Sequence, residues 1–475
     1  MTLSRRQLIK LSSALPLLPH LRASAAERPN VVFILVDQHS ARALSSYGHA
    51  VVKTPNIDRL AAGGVRFENA FCTTPQCDPA RLSIQTGRYA RSHGVVLNRV
   101  LYKGDDEFLP QSFQRSGYST FAVGKRPHVA SAERFGFDRW AGMTLYRREH
   151  GKNGWQPKPD HRLPLDLYGS VGPSPFPNER HPSGYWTSKA IEFLREERRN
   201  PFLLWLSYYG PHTPIVPSEP FASMYKAEDM ELPPNFSTSG GPAALQQMRA
   251  RQSAITPDLH RAVLANYFGL IAQIDYNVGT LLDELDRLRL SRNTIVVYVS
   301  DHGEMMAEHG GWTKAALLYD SLVRVPLIIR YPGHLPAGTV DHSLISTIDL
   351  KPSLVELAKL SGNSKATPAE GHDLFSKSNT REEIFAEFGD PAANDWHCVM
   401  VRTRTHKYVR HTVPSGHTEE FFDLAKDPWE TDNLFDRGGE VLAGLKEKLA
   451  NWEKRVTYSW TKPIEQEDSP TKSKR

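Results

Sequence analysis

Residues 31–36 read Val-Val-Phe-Ile-Leu-Val, six apolar side chains in a row, four of them β-branched. A strand with one face in water alternates apolar and polar. An unbroken run needs cover on both faces, which a parallel sheet between two helical layers provides. Similar runs occupy Thr120–Val123, Phe202–Ser207, Thr294–Ser300 and Pro326–Arg330. Helical patterns lie between them, at Thr187–Arg195 and Val263–Leu290. In the second, Ile271, Ile274, Val278, Leu281, Leu282 and Leu285 recur at helical spacing. Thr54-Pro55 opens a further helix through Ile57, Leu60 and Ala61, stopped by Gly63-Gly64. Strands alternating with helices predict an α/β fold, a doubly wound, mostly parallel sheet flanked by helices.

The chain has 475 residues, more than one compact core accommodates. We place a large domain at 27–360 and a smaller C-terminal α+β unit at 361–464. The composition changes after Leu360-Ser-Gly-Asn-Ser-Lys. Arg402–Arg410 and Phe421–Leu424 are expected as strands of an antiparallel sheet, closed by a helix over Glu440–Arg455. The charged tail 465–475 is expected to be disordered. Arg139–Pro182, rich in Pro, Gly, His and Arg, reads as a long excursion that could shape a pocket. Its Arg147, Arg148, His150, Lys152 and Trp155 could touch an anionic sugar or serve structure alone. Asn235–Pro242 reads as a solvated loop.

Residues 1–26 read as a signal peptide. Ser4-Arg5-Arg6 is a twin-arginine pattern, Leu11–Leu21 a short apolar stretch, and Ala23-Ser24-Ala25 a small-residue cleavage site. Export by the twin-arginine machinery to the bacterial periplasm or beyond follows. The formal charge of +5 includes four basic residues and no acid in the first 25, leaving +1 on the mature chain. Near-neutrality gives no basis for nucleic-acid binding. No other segment reads as a transmembrane anchor. Three cysteines form no disulfide framework; Cys72 and Cys398 either pair or stay buried.

Asp37-Gln38 ends the first strand and Asp301-His302 ends the Thr294–Ser300 strand. Ligands in open α/β sheets gather at the carboxyl ends of strands, so the two pairs could meet at one site. Three oxygen donors and an imidazole suit one divalent cation, calcium or magnesium ahead of zinc, with manganese compatible with the histidine. Either pair alone could equally be a strand-end cap. Cys77-Asp78-Pro79-Ala80-Arg81 precedes Thr86-Gly87-Arg88. A cysteine at a helix start sits in the positive end of the helix dipole, with Arg81 one turn on. That environment supports a thiolate; a buried, inert cysteine is the plain alternative.

Cys-x-Pro-x-Arg followed by Thr-Gly-Arg resembles the signature of the formylglycine-dependent sulfatases of the alkaline phosphatase superfamily. The resemblance covers nearly all of the mature chain. Tyr47-Gly48, Thr54-Pro-Asn-Ile-Asp58, Val65-Arg-Phe-Glu-Asn69, Asn266-Tyr267 with Asp275, Ser300-Asp-His-Gly-Glu304, Glu308-His-Gly310 and Phe422-Asp-Leu424 follow in family order. It implies that a maturation enzyme oxidises Cys77 to formylglycine, whose hydrate is the nucleophile held by Arg81. Asp37, Gln38, Asp301 and His302, with the modified Cys77, match the metal ligands, usually of calcium. Lys125 and Lys314 match the lysines that grip sulfate, His212 the histidine beside the leaving group, and Asn98 a polar contact to the same group. His128, three residues after Lys125 as in iduronate-type sulfatases, is the candidate for the other acid–base role. The chain departs from many relatives in having Gln38 for a second aspartate and His302 for asparagine. The implied reaction is hydrolysis of a sulfate monoester, with a sulfated carbohydrate as the expected substrate and choline or aryl sulfates open. A phosphonate or phosphodiester hydrolase on the same scaffold, and a non-catalytic exported glycan-binding protein, are the rivals.

Overall fold

In a computed structural model of the chain, the described residues are 28–126, 129–130, 132–151, 171–197, 201–361, 367–376, 381–390, 396–414 and 416–458. The expected signal peptide, His128, Lys152, Trp155 and the charged tail lie outside them.

The first eight strands in chain order are β1 (Asn30–Asp37), β2 (Val65–Phe71), β3 (Ser119–Gly124), β4 (Arg139–Ala141), β5 (Phe202–Pro211), β6 (Thr294–Ser300), β7 (Leu327–Arg330) and β8 (Thr339–Ser346). They form one sheet in the order β4-β3-β5-β1-β6-β7-β2-β8, in which β7 alone opposes its neighbours. The apolar run predicted for β1 has the cover it requires. Val31, Phe33 and Leu35 enter the core on one face, with Leu82 and Ile84 of the Cys77–Thr86 helix. Val32, Ile34 and Val36 enter the other, with Ile274, Val278, Leu281 and Leu285 of the Pro257–Arg287 helix and Trp186 and Phe193 of the Pro182–Glu196 helix. All six side chains of the run are fully buried. Each contributes roughly 1.5–3 kcal/mol by leaving water.

The helices end where local chemistry ends them. Thr256 accepts the Leu259 amide at 3.3 Å and Pro257 occupies the first turn of the long helix. From within that helix, Asp275 accepts the amides of Asn56 and Ile57 at 3.0 and 2.8 Å. It thereby satisfies the exposed donors that open the Pro55–Ala62 helix.

β9 (Ile384–Phe388), β10 (His397–Arg402), β11 (His406–Val413) and β12 (Gly416–Asp423) form a second, antiparallel sheet in the order β12-β11-β10-β9. Leu442, Leu445, Leu449 and Trp452 of the Gly439–Arg455 helix pack on Phe385, Val399, Val401 and Tyr408. Arg402–Arg410, expected as strand, is strand at Arg402, which ends β10, and at His406–Arg410, which open β11. Between them the chain turns at Thr403–Thr405, where the Thr403 amide donates to the His406 carbonyl at 2.8 Å. Asn235, expected in a solvated loop, is fully buried, and its amide nitrogen donates to Glu308 and to the Trp429 carbonyl. Cys72 and Cys398 are buried free thiols. Among the described residues no helix is long and apolar enough to cross a membrane.

Candidate active site

β1 is the strand from which the sheet winds both ways, with β5, β3 and β4 on one side and β6, β7, β2 and β8 on the other. The crevice beyond its carboxyl end is therefore the expected ligand site. Val36 lies opposite Ser300, so Asp37-Gln38 and Asp301-His302 leave adjacent strands side by side. The Gln38 amide donates to Asp301 Oδ1 at 3.0 Å, and the His302 amide donates to the same oxygen at 2.9 Å. Gln38 takes φ 66°, a left-handed conformation that non-glycine residues rarely adopt, and its side chain meets Glu304 and Lys314.

The Cys77–Thr86 helix aims its first turn at these strand ends. Gln76 before it is extended, and Gly87 after it closes the last turn with φ 70°. The Asn98 side chain caps the helix from outside, its oxygen accepting the Asp78 amide at 2.9 Å. That oxygen therefore supports the helix, a contact the sequence did not anticipate. Cys77 Sγ lies 3.6 Å from Asp37 Oδ1 and 3.4 Å from His302 Nε2. Ligand atoms of Asp37, Cys77, Asp301 and His302 all fall within 4.8 Å of one another, and all four residues are buried. Two buried carboxylates and an imidazole converging this closely fit a divalent cation, which would relieve their mutual repulsion.

Three cations surround the carboxylates. Arg81 donates from Nε to Asp301 Oδ2 at 2.7 Å and from a terminal nitrogen to Ser207 Oγ at 2.7 Å, and its other terminal nitrogen is 3.3 Å from Asp37 Oδ2. Lys125 donates to the same Asp37 oxygen and Lys314 to the Gln38 side-chain oxygen. Gly124, at φ 94°, lets β3 hand Lys125 to the site; a Cβ there would stand 1.9 Å from the Ser207 carbonyl oxygen. His212 follows β5 and its amide donates to the Asp37 carbonyl at 3.1 Å. Its Nδ1 is 2.6 Å from the Thr213 carbonyl.

Charge balance follows from this crowding. Burial acts most strongly on Asp37 and pushes its carboxyl up, but Lys125, His212, Arg81 and Lys314 together hold it well below the usual range. Burial and Asp37 push the Cys77 thiol up, and Lys125, Lys314 and His302 outweigh them, leaving it well below a free thiol. Burial pushes the His302 imidazole down, yet Asp301 and Cys77 leave it raised overall against Lys314. Such perturbation concentrated in one crevice marks a reactive site. Two supporting residues had no distinct signal in the sequence. Ser207 sits inside an apolar strand run, and Glu304 stands at the end of the Ser300–Glu304 run with a partner, Gln38, far away in the chain.

Comparison with known proteins agrees with this geometry. The sulfatase family model matches residues 29–360, and the model for the C-terminal part of N-sulphoglucosamine sulphohydrolase matches residues 307–455. An arylsulfatase of Clostridium perfringens is 29% identical over 449 residues, covering 86% of this chain and 90% of the relative. An N-acetylglucosamine-6-O-sulfatase of Bacteroides thetaiotaomicron is 25% identical over 488 residues, covering 86% and 83%. The crystal structure of a phosphonate monoester hydrolase of Agrobacterium radiobacter superposes with a TM-score of 0.76 at 25% identity, covering 90% of this chain and 96% of that one. The signature helix, the strand-end acids and the family match over most of the chain together make this protein a member of the sulfatase family, a sulfuric ester hydrolase.

Proposed function

We propose that the chain hydrolyses a sulfate monoester on a sulfated carbohydrate, using a formylglycine made from Cys77 and a divalent cation, calcium in the first instance. The observation that carries this is the position of Cys77, at a helix start within 3.6 Å of Asp37 and 3.4 Å of His302, ringed by Arg81, Lys125 and Lys314. A sulfated sugar is favoured because a relative matching along most of the chain is an N-acetylglucosamine-6-O-sulfatase. Export through the twin-arginine leader to the periplasm, and maturation by a formylglycine-generating enzyme, belong to the same reading.

Asp37, Gln38, Asp301 and His302 would hold the cation, which supplies neutralisation of the sulfuryl oxygens. The hydrated aldehyde supplies two hydroxyls on one carbon, one to attack sulfur and one to expel sulfate. The chain's own groups do the rest. Arg81 helps to keep Asp37 ionised and, bonded to Asp37 and Asp301 together, holds both carboxyl groups aimed at the nucleophile's end of the helix. Lys125 and Lys314, fixed on Asp37 and Gln38, present ammonium groups where an entering sulfate brings its negative charge, a preorganised term that costs no rearrangement during the reaction. His212, with Nδ1 engaged by its own loop, offers Nε2 to protonate the departing alkoxide. His128 is proposed for the complementary proton transfer.

Mass spectrometry of the peptide spanning Cys77, from protein co-produced with a maturation enzyme, tests the nucleophile. Aldehyde or its hydrate is the expected species, and active protein carrying only the thiol would overturn the reading. Parallel assays with aryl sulfate and aryl phosphodiester test the reaction, since the same scaffold serves a phosphonate monoester hydrolase. Sulfate is expected to be the better substrate by kcat/KM.

A further inference from the structure

The Gln38 side chain has two different neighbours. Its oxygen accepts from Lys314 Nζ, and its nitrogen donates to Glu304 Oε2. An amide offers one acceptor end and one donor end, so only this orientation satisfies both partners. The flipped amide would set NH2 against an ammonium and a carbonyl oxygen against a carboxylate. The other Glu304 oxygen accepts the Thr313 amide, one residue before Lys314. The contacts close a ring: Gln38 to Glu304, Glu304 to the backbone at Thr313, Lys314 back to Gln38. Both backbone positions that complete it are left-handed, Gln38 at φ 66° and Thr313 at φ 68°. Glu304 is 1% exposed and Gln38 is 1% exposed.

The segment bearing Lys314 is held at its other side as well. Gln252 accepts the Trp312 amide at 2.8 Å and donates to the Trp312 carbonyl at 3.0 Å, and the Trp312 indole donates to His260 at 2.8 Å. With Trp312 fixed, the Glu304 bond at Thr313 sets where the Lys314 stem departs.

We propose that Glu304 is a positioning residue that orients the Gln38 amide, turning its oxygen on Lys314 and the cation site, and that its carboxylate is why position 38 carries an amide rather than an acid. An acidic residue at 38 would set two carboxyl groups face to face across a hydrogen-bond distance, where the amide now donates. The inference rests on Gln38 belonging to the cation site, and calcium binding by the unsubstituted chain tests that reading separately.

The experiment compares the mature full-length chain with Glu304→Gln, Gln38→Glu and the exchanged pair Gln38→Glu/Glu304→Gln. Each is measured for calcium affinity by calorimetry and for kcat and KM on an aryl sulfate. Glu304→Gln frees the amide to rotate and is expected to weaken calcium at least fivefold and to raise KM, because Lys314 loses its fixed acceptor. Gln38→Glu is expected to lose at least tenfold in kcat/KM. The exchanged pair restores one donor facing one carboxylate, and recovers at least tenfold of the product of the two single losses. Additive losses in the exchanged pair, or calcium affinity and KM within twofold of the original in Glu304→Gln, overturn the proposal. If Glu304→Gln alone does not fold, the exchanged pair decides: folded and calcium-binding supports the ring, unfolded refutes it. A failure of the original chain to bind calcium would instead overturn the cation reading.

Discussion

Arg81→Met is the sharpest probe of the charge arrangement. Methionine keeps much of the buried volume but removes the guanidinium that Asp37, Asp301 and Ser207 share, in a side chain 1% exposed. Breaking a buried pair by removing one partner costs about 3–5 kcal/mol, because the other charge stays buried. Asp37 retains Lys125, and Asp301 retains the amides of Gln38 and His302, which argues for the lower half of that range. At about 2 °C per kcal/mol, the large-domain end of the scale, Tm should fall about 6–8 °C in EDTA at pH 7. The pH dependence has a fixed sign. Asp37 is depressed in the folded state, so it contributes stability above the unfolded value of about 3.9, lost as pH falls through the folded value. Arg81 is one cause of that depression, so the gap between variant and parent is full from neutrality down to about pH 4 and narrows only below it, as pH falls towards the folded value. Calcium adds a second signature. With one positive charge gone, the carboxylates attract a divalent cation more strongly, and ligand that binds the folded state alone stabilises in proportion to ln(1 + [L]/Kd). Scanning calorimetry with EDTA and with excess calcium should therefore show a larger calcium-induced rise in the variant. A Tm within 2 °C of the parent, or a gap that does not change with pH, would refute the charge assignment.

Other outcomes follow from single contacts. Gly124→Ala places a methyl 1.9 Å from the Ser207 carbonyl at a backbone φ of 94°, so it should displace Lys125 and cost more than about 2 kcal/mol, read by denaturant midpoint and by KM. Ser207→Ala removes one charge-assisted bond to Arg81 and should lower stability by about 1.5–3 kcal/mol with a several-fold loss of kcat. Lys407→Met leaves Asp320 and Glu430 buried without their shared ammonium, and should destabilise by about 3–5 kcal/mol, measured in urea.

The strands that the sequence announced are those covered on both faces. β1 and β6 are buried at every position, and nothing in their composition competes with that reading. β2 and β8 were not anticipated as strands. Val65-Arg-Phe-Glu alternates polar and apolar over too few residues, and β8 keeps its first half partly in water at the sheet edge, burying only Leu344, Ile345 and Ser346. β4 pairs through three residues, below the length at which a pattern carries information. The hairpin at Thr403–His406 was read through as strand because its turn has no Gly, Pro or Asn to announce it.

The site divides along a different line. Asp37, Asp301 and Cys77 were legible because their place follows from local structure, two strand ends and a helix start, and topology brings such ends together. The supporting shell was not, because each member acts through a residue remote in sequence. Ser207 meets Arg81, Glu304 meets Gln38, and Asn98 caps the helix that bears Cys77 from a loop twenty residues on. No periodicity encodes such pairs; the first two depend on the register between β1, β5 and β6, where Leu35 stands opposite Ser207 on one side and Val299 on the other. A one-residue slip of β5 would move Ser207 to the other face of the sheet and deprive Arg81 of an acceptor. The unbroken apolar run of β1 therefore does more than build a core. By fixing β1 between β5 and β6, it sets the register on which the arginine, the two carboxylates and the cysteine depend.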